Sequence, residues 1–272
     1  MYSGTTLTPA SGRILGAHQK IDRLARACLT AALPEQLSFP SARTILHFEG
    51  VNGPDAIKRK SPARDEPWHY YMPYDDTDMA LLQIIDNHYE QLVVALKRGD
   101  DVRASFEAAW LAHAIVDGLT PAHHVPYETQ LTELRGGKGL ESRTSIREKI
   151  VIPGDTPGKQ ISNNWKMWGP RGLLMSHGTF EFGVAILVAP LSAKRMRLHS
   201  GDLAELKKYG VTALFKRKAQ EVDSLHLFEK YQRYGWTPSL VSLTRRQLIP
   251  TLVQMVALAW YAAAVEAKGS LT

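Results

Sequence analysis

Leu111-Ala112-His113-Ala114-Ile115-Val116-Asp117 is the stretch of this chain that says most about its fold. On a helix, residues four apart lie on one face, so this spacing puts the His113 imidazole beside the Asp117 carboxylate. The residues around them are apolar, which predicts that the helix is buried. A buried imidazole and carboxylate need partners, and a metal ion satisfies both.

The same spacing recurs in Met175-Ser176-His177-Gly178-Thr179-Phe180-Glu181, and His123 follows Asp117 in Pro121-Ala122-His123-His124. One such pair is weak evidence, because helices carry histidine and acid pairs by chance. The combination is stronger, since clusters of histidine and carboxylate are the ligands that zinc selects. The sequence therefore predicts a helical protein with a metal site.

Composition places the chain among ordinary globular proteins. It has 272 residues, of which 44% are hydrophobic and 22% charged, enough to build one well-buried domain. The formal net charge of +6 favours anionic partners such as phosphodiesters, nucleic acid or anionic lipid. A solvated basic surface without a dedicated groove is the alternative, and composition leaves both open.

The single cysteine, Cys28, excludes an intrachain disulfide. The first residues show no basic segment followed by an apolar one, so we expect no signal peptide. The longest apolar stretches, 184–190 and 252–265, are too short or too interrupted for a membrane span. A cytoplasmic location is the default expectation, and secretion stays open.

Apolar residues recur at helical spacing along most of the chain, and alternation typical of strands is nearly absent. Segments 49–73 and about 125–169 are rich in glycine, proline and charge. We expect the first to be a loop and the second a long irregular insertion, either a lid or a tolerated surface segment. The prediction is an all-α multi-helix bundle forming a single domain over 1–272. Its helices are predicted at 14–33, 41–48, 77–97, 102–119, 171–189, 202–215, 216–234 and 240–268.

Three further residues extend the pattern. His18 lies on the apolar face of the first predicted helix, Asp55 follows Gly53-Pro54, and His69 lies near the end of the same loop. With them, the order and spacing of the motif residues resemble those of the zinc-dependent phospholipase C and S1/P1 nuclease family over about residues 14–190. The resemblance implies an all-helical fold that holds up to three zinc ions and cleaves phosphodiester bonds.

The resemblance also implies a set of metal positions. The first is Asp55, His69, His113 and Asp117; the second is His123, His177 and Glu181; the third is His18 with a bridging Asp117. Asp55 is further implied as the catalytic group that orients or deprotonates the attacking water. In the family an N-terminal tryptophan closes the third position, and this chain has no tryptophan before Trp68. We therefore expect two zinc ions and a third position that lacks its usual donor.

Aromatic residues near the predicted ligands suggest where a substrate lies. Trp68, Tyr70 and Tyr71 flank His69 and could form a wall for a head group or a base, or pack around the loop. Trp165 and Trp168 suit either a lipid interface or packing under the insertion.

The leading function is a phospholipase C-like zinc phosphodiesterase. A single-strand nuclease and a helical metal-binding protein with impaired catalysis are the alternatives. The expected partners are a phospholipid or other phosphodiester, a membrane surface, or nucleic acid, and no protein partner is implied.

Overall fold

The computed structural model describes residues 16–49, 52–57, 69–139, 142–193 and 196–269. Over these residues every regular element is helical, which confirms the all-α prediction. The helices are α1 (Ala17–Ala32), α2 (Ala42–His47), α3 (Pro54–Ile57), α4 (Ala80–Arg98), α5 (Asp101–Gly118), α6 (Tyr127–Leu134), α7 (Ile146–Ile150), α8 (Pro157–Trp168), α9 (Leu173–Val188), α10 (Ser200–Asp223), α11 (Leu227–Tyr234), α12 (Pro238–Leu243) and α13 (Ile249–Ala267).

Helix α5 lies at the centre of the main core. The Asp100 side chain caps its first turn by accepting from the Arg103 amide at 2.9 Å, and nearly every residue from Ala104 onward is buried. Helix α4 reverses into α5 through Gly99, whose φ of +67° favours glycine. A helix buried on all sides brings any polar residue it carries into the interior, and α5 carries His113 and Asp117.

The C-terminal helices supply the other half of this core. Helices α12 and α13 are continuous through a π-helical turn at Thr244–Leu248, and the indole of Trp260 donates to the Ala108 carbonyl of α5 at 3.0 Å. The combined segment Pro238–Ala267 is long and apolar enough to cross a membrane, but 78% of its apolar window is buried within the protein. It therefore packs as a core helix.

The expectation of an irregular insertion at about 125–169 is wrong. Helices α6, α7 and α8 occupy much of that segment, and α6, α8 and the turn between α7 and α8 share a small core made by Tyr127, Leu131, Ile152 and Met167. The helices are short and separated by glycine-rich turns, so no long apolar stripe indicated them. Their packing follows from contacts between residues far apart in the sequence, which periodicity does not reveal.

Smaller differences concern where helices begin and end. No helix boundary lies at the expected position between residues 215 and 216: Gly210, with φ of +74° and ψ of +175°, interrupts α10, which continues to Asp223 before α11 begins at Leu227. Helix α3 falls within the segment predicted to be a loop. The start of the first predicted helix, at residues 14 and 15, lies outside the described residues.

Candidate metal centre

Helix α5 and the turn after it supply the central donors. His113 and Asp117 lie one turn apart, and His113 Nε2 is 3.2 Å from Asp117 Oδ2. The chain then leaves the helix through Leu119 and Thr120 into a 3₁₀ turn, Pro121–His123. The Thr120 hydroxyl donates to the Val116 carbonyl at 2.7 Å and the His123 amide donates to the Thr120 carbonyl at 2.8 Å. These bonds fix His123 close to the end of α5.

Helix α1 brings a third donor to the same place. His18 Nε2 is 3.2 Å from Asp117 Oδ1, and the His18 ring stacks on that of His113 with centroids 3.9 Å apart. Among the described residues, Nε2 of neither histidine has a hydrogen-bond partner, although both are buried. Two buried imidazole nitrogens that face opposite oxygens of one carboxylate are the donors that a cation would bind.

Asp55 and His69 also lie close to His113 and Asp117. Asp55, in the short helix α3, has its Oδ1 3.8 Å from His113 Nε2, and His69 Nδ1 makes a close contact with Asp117 Oδ2. Single donor atoms of Asp55, His69 and His113 all lie within 4.8 Å of one another, as do those of His18, His113 and Asp117. His113 and Asp117 therefore lie between two sets of donors.

A second cluster forms where α9 meets the 3₁₀ turn. Glu181 Oε1 is 2.7 Å from His123 Nε2 and 2.9 Å from His177 Nε2. The other nitrogen of His123, Nδ1, donates a hydrogen bond to the His69 carbonyl at 2.7 Å. This leaves Nε2, which faces Glu181, as the nitrogen able to ligate a metal. The rings of His69 and His123 are 6.3 Å apart, so the two clusters are neighbours.

The eight predicted ligands are thus brought together. They supply five imidazoles and three carboxylates, and every one except Asp55 is buried. The grouping differs from expectation in two respects. His113 joins the set of His18 and Asp117, the expected third position, as well as that of Asp55 and His69, and Asp117 reaches the latter set through its contact with His69. Any donor to that third position from residues 1–15 lies outside the described residues.

The charges of this cluster favour a cation. Burial would raise the pKa of the Asp117 carboxyl, but nearby positive charge, of which His123, His113 and His69 contribute a part, holds it well below its usual range. Burial likewise opposes ionisation of Glu181, yet nearby positive charge, to which His177 and His123 contribute, keeps its pKa low. Buried carboxylates that stay ionised need a positive partner. The donor types, burial and spacing all fit a metal ion.

The histidines respond to the same charges in different ways. Burial lowers the pKa of His113, but Glu49 and Asp117 outweigh it and raise the pKa to about 10. At His123 burial prevails and lowers the pKa to about 4. The neutral form of His123 is the one that ligates a metal, whereas His113 has to lose a proton when a metal binds.

Glu49 is a candidate residue of this site that the sequence analysis missed. It is completely buried, and its Oε1 is 3.0 Å from His113 Nδ1 and 3.8 Å from His18 Nδ1. By accepting from His113 Nδ1, Glu49 directs Nε2 of that ring towards Asp117, as the outer carboxylates of metal sites do. Gly53 lets the loop return over Glu49, because a Cβ there would be 2.2 Å from the Glu49 carbonyl oxygen.

Two substitutions of Glu49 are expected to weaken metal binding to different degrees. Glu49→Gln keeps an oxygen for His113 Nδ1 but removes the charge, and Glu49→Ala removes both, so we expect losses of about tenfold and a hundredfold. Competition of the protein with a zinc chelator measures both affinities. Glu90→Gln, on the exposed face of α4, is the control. Native affinity in Glu49→Ala would contradict the role.

The predicted aromatic wall is partly corrected. Tyr71 is fully buried in the main core against Phe215, so the expectation that it contacts substrate is wrong. Tyr70 is half-buried beside the second cluster, and its ring stacks on those of His123, at 5.1 Å, and Tyr127, at 4.5 Å. Tyr127 was not predicted, because it lies within the segment expected to be irregular. The predicted Trp68 lies outside the described residues.

His124, adjacent to His123, has a structural role. Its Nε2 donates to the Gly118 carbonyl at 2.9 Å and its Nδ1 is 3.1 Å from Asp223 Oδ1. These contacts tie the end of α5 to the end of α10. His124 therefore turns away from the metal donors, as expected for a residue adjacent to a ligand.

Comparisons of the chain with protein-family models, with curated proteins and with solved structures found no match. The likeness to the zinc-dependent phospholipase C and S1/P1 nuclease family therefore stays a prediction from the motif residues. The geometry of the donor cluster stands independently of it. That geometry is the basis for a functional proposal.

Proposed function

We propose that this protein is a zinc-dependent phosphodiester hydrolase that acts on phospholipids in the manner of a phospholipase C. One observation carries the proposal: eight donor residues form two neighbouring clusters in the interior, and Asp117 lies between His18, His69 and His113 in the first of them. Paired divalent ions are the usual device for cleaving phosphodiesters.

Zinc is proposed because of the donor types. Five imidazole nitrogens and three carboxylates make a set of intermediate softness, which suits zinc better than the all-oxygen sets that magnesium and calcium prefer. His123, His177 and Glu181 supply three protein ligands, the number typical of a zinc site that keeps a position open. The motif resemblance points to the same metal.

The chain's own residues provide orientation and a proton acceptor. When bound in such a site, zinc ions lower the pKa of water and stabilise the charge of phosphoryl oxygens. Glu49 holds His113 and the His69 carbonyl holds His123, so both rings present Nε2 to the site. Asp55 is the most exposed donor, with its side chain 17% accessible. We propose that Asp55 accepts the proton of the attacking water, because the proton acceptor has to be accessible to solvent.

A nuclease is the second candidate, and one observation favours it. Tyr70, half-buried beside His123, is an aromatic ring next to the second cluster, and the buried Tyr127 stacks on it from the small core. Aromatic rings next to a phosphodiester site are surfaces on which bases of single-stranded nucleic acid can stack. A side-by-side assay of phosphatidylcholine and single-stranded DNA separates the two substrates, and preference for DNA would overturn the phospholipid assignment.

Metal removal is expected to abolish hydrolysis. We expect purified protein to hold about two zinc ions per chain and to cleave a chromogenic phosphodiester. Chelation followed by dialysis removes both metal and activity, and added zinc restores them, whereas added magnesium does not. Metal analysis and rate measurement on the same sample are the test. A chain with full zinc content that cleaves no phosphodiester would instead be a metal-binding protein with impaired catalysis.

A further inference from the structure

A cavity of about 630 Å³ is lined by residues of helices α6, α8, α9 and α11 and of the turns between them. This volume suits a small molecule or a single head group. Among the described residues that line the cavity, none is aromatic, and basic side chains outnumber acidic ones. The basic residues are Arg135, Lys138, Lys159, Lys166 and Arg171, and the acidic ones are Glu133 and Asp155. An excess of positive charge in a concave site favours an anionic ligand.

Two buried residues give the cavity a fixed wall. Arg135, at the end of α6, is only 4% exposed, and its guanidinium donates to the Glu148 carbonyl at 2.8 Å and to the Ser142 hydroxyl at 3.0 Å. Asn163 of α8 is also buried, and its amide donates to the Pro153 carbonyl at 2.8 Å. A guanidinium held in place at a cavity wall is preorganised for phosphate, because its planar donors match phosphate oxygens.

Exposed basic side chains complete the cavity. Lys159 and Lys166 lie one turn before and one turn after Asn163, so the three residues share one face of α8. Unlike Asn163, both lysines are exposed, as are Lys138 and Arg171. The cavity is therefore open to solvent on this side, where flexible cationic side chains can surround an anion that enters.

The cavity adjoins the second donor cluster without including it. Leu173 and Ser176 of α9 line the cavity. Leu173 lies one helical turn before His177 on the same face, and Ser176 directly precedes His177. None of the eight predicted ligands is among the described residues that line the cavity. It is therefore a separate site, whose wall includes the first turn of the helix that carries His177 and Glu181.

We propose that this cavity binds a phosphate monoester group, carried either by the head group of a lipid substrate or by a free small molecule. A phosphate monoester bears about two negative charges and three acceptor oxygens, which suit one fixed guanidinium surrounded by mobile cationic side chains. Single-stranded nucleic acid fits less well, because grooves that bind it combine positive charge with aromatic rings for base stacking. The inference goes beyond the proposed function, because binding here requires no hydrolysis.

Titration calorimetry of the full chain, loaded with zinc, tests the site with glycerol phosphate as the probe and glycerol as its uncharged control. We expect glycerol phosphate to bind and glycerol not to bind. Lys159→Gln/Lys166→Gln is expected to weaken binding by about tenfold, whereas Lys159→Arg/Lys166→Arg keeps the charges and retains most of the affinity. Lys97→Gln/Lys207→Gln, which removes two charges at exposed sites elsewhere, is the control.

Removal of the acidic wall residues gives the opposite expectation. Glu133→Gln/Asp155→Asn is expected to strengthen binding by about threefold, a gain that a poorly folded variant could not produce. Equal affinity in the native chain, in this variant and in Lys159→Gln/Lys166→Gln would overturn the site, because zinc alone would then hold the probe. Failure of the native chain to bind glycerol phosphate would overturn it too, as would displacement of the probe by a lower concentration of single-stranded oligonucleotide.

Hydrolysis assays identify the molecule that carries the phosphate group. If it is the substrate, kcat/KM of the native chain should be about tenfold higher for phosphatidylglycerol phosphate than for phosphatidylglycerol, and Lys159→Gln/Lys166→Gln should lower that ratio to about one. A native ratio of about one, with glycerol phosphate still bound in the cavity, supports a free ligand instead. Binding of glycerol phosphate by a chain that cleaves no phosphodiester supports the site and contradicts only the enzymatic proposal.

Discussion

Asp117→Asn is expected to remove metal from the first cluster and to lower phosphodiester hydrolysis by about a thousandfold, which corresponds to about 4 kcal/mol of activation free energy. Asp117 offers one oxygen to His18 and the other to His113 and His69, so it joins three imidazoles of the first cluster. The amide keeps the shape but removes the charge and one of the two accepting oxygens. The remaining imidazoles then face a cation without the carboxylate that joins them.

Metal content and rate, measured on the same preparation, check this prediction. Asp101→Asn is the matched control, because it makes the same change on the same helix at an exposed position about four turns away. The variant should lose at least one ion per chain while the cluster of His123, His177 and Glu181 keeps its own. Full metal content with a native rate would show that Asp117 is not a shared ligand.

Much of this site could be predicted from sequence, because its central feature is local. The four-residue spacing of His113 and Asp117, and of His177 and Glu181, follows from helix geometry and needs no knowledge of the fold. The all-α class followed from periodicity in the same way. His18 is far from these pairs in the chain, and it was predicted to join them because the order of the motif residues resembles that of a known family.

The features that escaped prediction depend on tertiary contacts. Glu49 looks like any acid at the end of a short helix, and only the packing of α1 and α5 around it shows that it is buried against His113. Tyr127 and α6–α8 escaped for the same reason, since their small core joins residues some forty positions apart. Tyr71 shows the converse error, because proximity in sequence to His69 says nothing about which side of the backbone faces the site.

Asp55→Asn is expected to separate catalysis from metal binding. The Asp55 carboxylate is 3.8 Å from His113 Nε2 and is the donor most open to solvent, which suits a group that takes a proton from water. Asparagine retains the shape and one oxygen but cannot accept that proton. We therefore expect turnover to fall by about a hundredfold to ten-thousandfold, with zinc content and thermal stability of the zinc-loaded protein close to native.

The Asp55 prediction is tested by measuring rate and zinc content together, with Asp76→Asn as control. Asp76 is 92% exposed and pairs with Lys216 at the surface, where such a pair contributes little stability. Asp55→Glu is a further variant. If Asp55 accepts the proton, the glutamate carboxylate, displaced by one methylene, should recover part of the rate that Asp55→Asn loses. If Asp55 is only a ligand, Asp55→Glu should recover zinc content before it recovers rate. Parallel loss of zinc and rate in Asp55→Asn would mean that Asp55 serves only to hold the metal, and the proton of the attacking water would then have to pass to another group.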